Sequence, residues 1–506
     1  MKTAEMTVTR KKETPGTKAP LYLLGIILIA AALRLYHLGA QNLWIDEGFS
    51  LRDAARPDLL HETRPLYFLF LSQWLKLGTL RSEFLLRLPS AVFGIAGVWV
   101  LYAVGRRLIG ASGALLASAF MAISVLHINH SEEVRWYSLV ALLSLAATYF
   151  LILSLEERRA RYVVGYALSG LAMLLTFPLT VFVLAAHGLF LLLYSKAYRP
   201  TSLILVGLLL LTTAVWIPWL LNNLATASAY SEGYTSIIEK PTPSTAIGLL
   251  GRFFLHKWSN PGRIQAAGAF GFSALVTLVA LYGLKGFRRT DARTAFLWIW
   301  LVVPMAATAV TSYTIANVWK PNYLIAASPA FFLLVSRGIW TMRSRYLMAT
   351  VTAVIVMLTL GRLAVYYSKP VRPEWRAAIN YIEAREQPGD VIGIYCAGNE
   401  HVFSYYYRGS ARWSPLGSEA VTKDRFTGWS QRRVGQMFSE CPLSGKRFWL
   451  VLTSHWYAGG FNIANYVKEH YRVLDHRDWF MMEIYLFDAD GRPVPRERVD
   501  RGSVGR

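Results

Sequence analysis

The chain has 506 residues, 54% of them hydrophobic and 17% charged, and its formal net charge is +22. A mean hydropathy of +0.33 excludes an ordinary soluble protein of this size, which carries more charge and less apolar content. The positive charge lies largely in short loops between apolar runs, as the positive-inside rule requires, so nucleic acid is set aside as a partner.

Residues 1–20 are polar, hold Arg10, Lys11, Lys12 and Lys18, and read as a disordered cytoplasmic tail. The apolar run from Leu21 to Leu33 is followed by many others, which makes it an uncleaved signal-anchor rather than a removed leader. Apolar stretches then recur at 21–38, 89–108, 111–128, 136–155, 162–178, 179–195, 201–220, 264–284, 294–313, 322–337 and 346–365. The spacing predicts about eleven transmembrane helices. The basic loops Arg106-Arg107, 156–161, 196–199, 285–293 and 337–345 belong on the cytoplasmic side. The N-terminus is then inside and the C-terminus outside.

Segments 39–88, 129–135, 221–263, 314–321 and 366–506 fall on the outer face. The stretch from Pro65 to Leu77 is too short to span and should lie along or dip into the membrane. Residues 366–506 alternate helical and strand-like patterns, with helices expected over 374–386 and 462–471. Strands are expected over 390–395, 448–453 and 482–487. The fold class is therefore a polytopic α-helical membrane protein, its membrane part 21–365, with a C-terminal extracytoplasmic α/β domain, 366–506. Asp488-Ala489-Asp490 reads as a turn.

Both cysteines, Cys396 and Cys441, lie in that outer domain, where a disulfide is permitted. A bridge would close a loop of about 45 residues and add roughly 4 kcal/mol in the chain-entropy view. Two unpaired thiols are the other reading. Two cysteines exclude a metal site built on several thiolates.

Polar residues gather at the outer mouths of the spans. Asp46 and Glu47, in Trp44-Ile45-Asp46-Glu47-Gly48, are adjacent carboxylates close to a span; a partly desolvated carboxylate there is a candidate general base. Arg64 stands beside Pro65, the first residue of a helix-like stretch that also holds Tyr67; it could meet an anion. Glu132, Glu133, Arg135 and Tyr137 sit in Ser131-Glu132-Glu133-Val134-Arg135-Trp136-Tyr137, where an arginine can grip a phosphate through its planar fork. Lys320, in Trp319-Lys320-Pro321-Asn322-Tyr323, is a second phosphate candidate. Each pattern also has a plain structural reading: a solvated acidic pair, a snorkelling arginine or an interfacial anchor. No Gly-rich nucleotide loop is present.

These motifs, in this order, resemble those of the dolichyl-phosphate-mannose protein mannosyltransferase-like group of C-type glycosyltransferases, which includes bacterial aminoarabinose and galacturonic acid lipid transferases. The likeness covers nearly all of 21–365. It rests on Arg34-Leu35 with Trp44-Ile45-Asp46-Glu47, on Leu86-Arg87-Leu88-Pro89-Ser90, on 131–137 and on Pro218-Trp219. Pro373-Glu374-Trp375-Arg376 resembles the start of the outer domain of many bacterial members. The chain departs from the pattern at Thr63-Arg64, at Phe177 and at Asn322-Tyr323.

The resemblance implies a sugar on polyprenyl phosphate as donor and inversion at the anomeric carbon. It implies Asp46 as base toward the acceptor, Glu47 as its partner, and Arg135 near the donor. Arg64, Arg135 and Lys320 are the phosphate-binding candidates; Tyr67, Glu132, Glu133, Tyr137, Asn322 and Tyr323 are the substrate-binding ones. The acceptor is a glycolipid, a cell-wall glycan or a protein, and membrane lipids surround the chain. No cofactor is expected, although Asp46, Glu47, Glu132 and Glu133 would suit a divalent ion if they converged. Competing readings are a polymerase of lipid-linked oligosaccharides and a transporter or flippase; few mid-span charges and no inverted repeat speak against transport.

Overall fold

The computed structural model describes residues 18–57, 62–79, 82–194, 199–234, 238–256, 262–285, 291–395, 398–416, 447–453 and 458–488. It divides into two compact units: residues 1–40, 52–231 and 235–369, and residues 41–51, 232–234 and 370–506.

The first unit is helical. Its elements are α1 (Ala19–Leu35), α3 (Pro65–Leu75), α4 (Glu83–Leu108), α5 (Ala111–Ile123), α6 (Val125–Ser131), α7 (Tyr137–Glu157), α8 (Ala160–Thr176), α9 (Val181–Tyr194), α10 (Arg199–Tyr234), α11 (Pro243–Leu255), α12 (Arg263–Tyr282), α13 (Ala292–Thr314), α14 (Ser328–Trp340) and α15 (Arg345–Ser368). Helix α2 (Ile45–Ala55) begins in the second unit.

Among the described residues, five helices, α4, α7, α12, α13 and α15, are long and apolar enough to cross a membrane, and the bent pair α5–α6, counted as one span, makes a sixth. In lipid every backbone donor and acceptor must be satisfied internally, which favours unbroken helices over such apolar runs. Large apolar side chains such as Leu21, Leu24, Leu28, Leu203, Leu210 and Leu278 lie exposed on helix surfaces, as on a protein that a bilayer covers. The protein is a multi-pass membrane protein.

Helix ends follow ordinary capping chemistry. Ser82 opens α4 by accepting from the Leu85 amide, and Ser344 opens α15 in the same way. Asp291 accepts from the Thr294 amide at the start of α13, and Arg337 on α14 donates to the same carboxylate at 3.1 Å.

Each expected span contains a helix, but three differ in form. The segment 111–128 is broken at Ser124, where α5 and α6 meet at 58°. Ser124 accepts from the His127 amide and donates to the Phe253 carbonyl at 2.6 Å. Arg34, fully buried, donates to the carbonyls of Met121 and Ala122, which the break deprives of helical partners. The helix expected from 322 starts only at Ser328, after consecutive turns. Helix α10 runs past 220 to Tyr234, and α11, which lies within the segment expected as an outer loop, packs on α12. Helix α3 is 11 residues long, too short to span.

The second unit contains a five-stranded mixed sheet with order β2-β1-β3-β5-β4. Its elements are α16 (Trp375–Glu383), β1 (Val391–Tyr395), α17 (Asn399–Tyr406), β2 (Arg412–Leu416), β3 (Arg447–Thr453), α18 (Ala458–His470), β4 (Arg472–Trp479) and β5 (Met482–Asp488). Strand β1 pairs in parallel with β2 and β3, while β5 pairs antiparallel with β3 and β4. Tyr395, Leu416, Phe448, Leu450, Ile463, Val467 and Phe487 form its core. Of the tail expected over 1–20, residues 1–17 lie outside the described residues, as do both cysteines and residues 489–490, while α1 already begins at Ala19.

Candidate active site

In the first unit, the bend between α6 and α7 presents Arg135 and Trp136, and the residue before α3 presents Arg64. The Arg64 guanidinium lies 3.8 Å from the Trp136 ring centroid and the Arg135 guanidinium 3.7 Å from it. Trp136 is 2% exposed, so its ring is a fixed platform for both cations. Desolvation, and then the like charge of Arg135, lower the pKa of Arg64. Arg64 Nη1 donates to Thr63 Oγ1 at 2.5 Å, while its buried Nε has no hydrogen-bond partner among the described residues.

The same aromatic chain reaches the third candidate. The Trp136 ring stacks with Phe177 at 6.3 Å, Phe177 lies 5.4 Å from Tyr323, and Lys320 Nζ lies 5.7 Å from the Tyr323 ring. Tyr67 meets the Trp136 edge at 5.9 Å, and Tyr137 lies 5.3 Å from Trp136. Asn322 is half-buried in the turn between Lys320 and Tyr323. Arg64, Arg135, Lys320, Tyr67, Tyr137 and Tyr323 are thus joined by contacts within one unit. Two guanidiniums held against one ring repel each other, and an anion between or beside them would relieve that repulsion through charge-assisted bonds.

Glu132 and Glu133 are both buried but turn to different partners. Glu132 accepts from Tyr366 at 2.7 Å and Tyr367 at 3.2 Å. Glu133 accepts from Asn129 at 2.8 Å and faces His130 Nδ1 at 3.0 Å. Ser90 donates to the Arg135 carbonyl at 3.3 Å and Arg87 to the Leu38 carbonyl at 3.0 Å. Within the 86–90 motif, Ser90 therefore braces the backbone of the bend, and Arg87 braces the chain after α1. Among the described residues, no group of three or more His, Cys, Asp or Glu is arranged to hold a metal ion.

In the second unit, Asp46 and Glu47 occupy the first turn of α2. Acidic residues there suit the positive end of the helix dipole. Glu47 is fully buried; its Oε2 accepts from the Trp44 amide at 3.3 Å and from Arg372 Nη1 at 3.1 Å. The Trp44 contact is one half of a capping box. Asp46 is half-buried, and its carbonyl accepts from Ser50 Oγ at 3.1 Å.

Residues 61–221 match the family profile described as dolichyl-phosphate-mannose-protein mannosyltransferase. Among solved structures, ArnT from Cupriavidus metallidurans in the apo state superposes with a TM-score of 0.57 at 14% identity, covering 93% of this chain and 98% of that one. ArnT bound to undecaprenyl phosphate gives 0.53 at 14% identity, covering 92% and 98%. The archaeal oligosaccharyltransferase AglB from Archaeoglobus fulgidus, in complex with an inhibitory peptide and a dolichol-phosphate, gives 0.55 at 11% identity, covering 95% and 75%. The fold is that of the C-type glycosyltransferases. No curated protein sequence matches the chain.

Within this C-type fold, sequence reasoning missed three participants. Trp136 and Phe177 form the platform under the cations, yet an aromatic beside a span reads first as an interfacial anchor. Arg372 pairs with Glu47 across 325 positions, a separation that leaves no local signal. Its only cue is its place just ahead of the Pro373-Glu374-Trp375-Arg376 motif.

Proposed function

We propose that this protein is a membrane glycosyltransferase that moves a sugar from a polyprenyl-phosphate donor to a glycolipid, cell-wall glycan or protein acceptor on the extracytoplasmic face, with inversion. The observation that carries this reading is the pair of guanidiniums on Trp136, linked through Phe177 and Tyr323 to Lys320. A lipid phosphate is the anion such a cluster in a multi-pass protein would meet. The polyprenyl phosphates in the ArnT and AglB structures support the same class of donor.

In this reading the chain crosses the membrane about eleven times, and 366–506 is extracytoplasmic. Asp46 removes the proton from the acceptor nucleophile as it attacks the anomeric carbon, where oxocarbenium character develops. The bond to the phosphate oxygen breaks, and the electron pair leaves with the polyprenyl phosphate. Arg64, Arg135 and Lys320 stabilise the growing phosphate charge. A phosphate leaves without a general acid, so one base and a cationic clamp suffice. Tyr67, Tyr137, Asn322 and Tyr323 contact substrate.

The test is transfer of label from a panel of polyprenyl-phosphate sugars by membranes holding wild type or Asp46→Asn. Loss of about a hundredfold or more in the variant is expected, since a positioned acid–base group contributes about 10²–10⁴. Undiminished transfer by Asp46→Asn would remove it as the base. No transfer by folded wild type from any such donor would overturn the reaction.

A further inference from the structure

We infer that Arg372 is a positioning residue for Asp46, so that the C-terminal unit sets the geometry of the proposed base; this rests on the reading of Asp46 given above. Both chain neighbours of Asp46 are held by the second unit. On one side, Ile45 packs against the sheet core around Tyr395, Leu416 and Phe448. On the other, Glu47 is pinned by Arg372, 4% exposed, at 3.1 Å. The residue before Arg372 grips the segment that leads into α2, because the Val371 amide donates to Gln41 Oε1 at 3.3 Å.

Helix α17 completes the hold. Tyr406 Oη accepts from the Leu43 amide at 2.8 Å, and the Phe49 ring lies 5.8 Å from His401. A methyl group added at Gly48 would come within 2.7 Å of Val402 Cγ2. Four of the seven residues from Leu43 to Phe49 therefore have a named partner beyond position 370 through a hydrogen bond, ion pair or ring or core contact: Leu43, Ile45, Glu47 and Phe49. Asp46, between two of them, stays half-exposed. A charge-assisted hydrogen bond is roughly twice as strong as a neutral one, and a base displaced by about 1 Å can lose about a hundredfold in rate.

The experiment uses the full chain in lipid nanodiscs. Arg372→Met, Arg372→Lys and the neutral pair Arg372→Met with Glu47→Gln are compared with wild type. Two quantities are read: amide hydrogen exchange in peptides covering 41–51, and kcat and KM for a labelled polyprenyl-phosphate sugar. Arg372→Met should speed exchange over 43–49 by about tenfold while other peptides keep their protection. Its kcat should fall about 10- to 100-fold, with donor KM within about twofold of wild type. Arg372→Lys and the neutral pair should each recover part of kcat, the pair because it leaves no unmatched buried carboxylate.

Unchanged exchange over 41–51 in Arg372→Met, or faster exchange throughout the chain, would overturn the inference, as would a full kcat. Wild type that transfers from no donor, with the local exchange response present, would instead overturn the proposed reaction and with it the catalytic purpose of the latch.

Discussion

Arg64 and Arg135 share one indole: their guanidinium carbons lie 3.8 and 3.7 Å from the Trp136 centroid. The two residues come from segments 71 positions apart, and the aromatic ring is what lets two like charges stand in the same place. If this pair grips a donor phosphate, Arg135→Gln should raise the donor KM by about 10- to 100-fold, the effect of one lost hydrogen bond to a charged group. Trp136→Leu should raise it too, by releasing both cations at once. Steady-state kinetics against a labelled donor measures both; an unchanged KM in each variant would move the phosphate elsewhere.

Arg34 has a different task. Its guanidinium donates to Ser131 Oγ at 3.2 Å, to the Ala122 carbonyl at 3.0 Å and to the Met121 carbonyl at 3.2 Å. Arg34→Met would leave those buried acceptors without their donor, at about 1–3 kcal/mol for each unsatisfied group. The midpoint of thermal unfolding in nanodiscs should fall by several degrees. A wild-type midpoint would show that the helix break holds without it.

Gly338 allows α14 to touch α12. A Cβ there would sit 1.8 Å from the Val279 carbonyl oxygen, a backbone atom that no rotamer change can move. Small residues permit this kind of close helix approach in membranes. Gly338→Ala should therefore lower the yield of folded protein and its unfolding midpoint, whereas alanine at Gly361, with no atom within 4 Å of its Cβ position, should leave both unchanged. Size-exclusion profiles and thermal unfolding of the two variants decide the matter.

Glu386 gives the second unit a pH dependence. Partial burial pulls its carboxyl upward, but hydrogen bonds from Tyr407 Oη at 2.6 Å and from the Ser410 amide at 2.8 Å outweigh that and hold it below the usual glutamate range. A depressed folded-state pKa contributes stability that is present above the unfolded-state value and lost as pH falls through the folded one. Acidification below about pH 4.5 should then loosen peptides covering 383–411 in hydrogen exchange on the full chain. Glu386→Gln should be looser at neutral pH and lose less on acidification; equal acid responses would assign the effect to other groups.

Much of the architecture was legible because the membrane imposes a local rule. A run of apolar residues must close its own hydrogen bonds, so the helices could be read one by one. The central strands β1, β3 and β5 were legible for a similar reason, being short apolar runs buried in the sheet. Strands β2 and β4 were not: they are the two edges of the sheet. Their sequences RWSPL and RVLDHRDW carry the charge and proline with which edges are blunted, which erases the alternation.

What the sequence determined by itself was the multi-pass helical character, the mixed C-terminal unit and the residue types able to hold a phosphate or take a proton. Only the tertiary structure decided that α5 breaks from α6 at Ser124, that Trp136 carries both Arg64 and Arg135, and that the Asp46 loop belongs to the C-terminal unit through Glu47 and Arg372. Hydropathy is a property of neighbours along the chain, whereas a buried ion pair between positions 47 and 372 exists only once packing has brought them together.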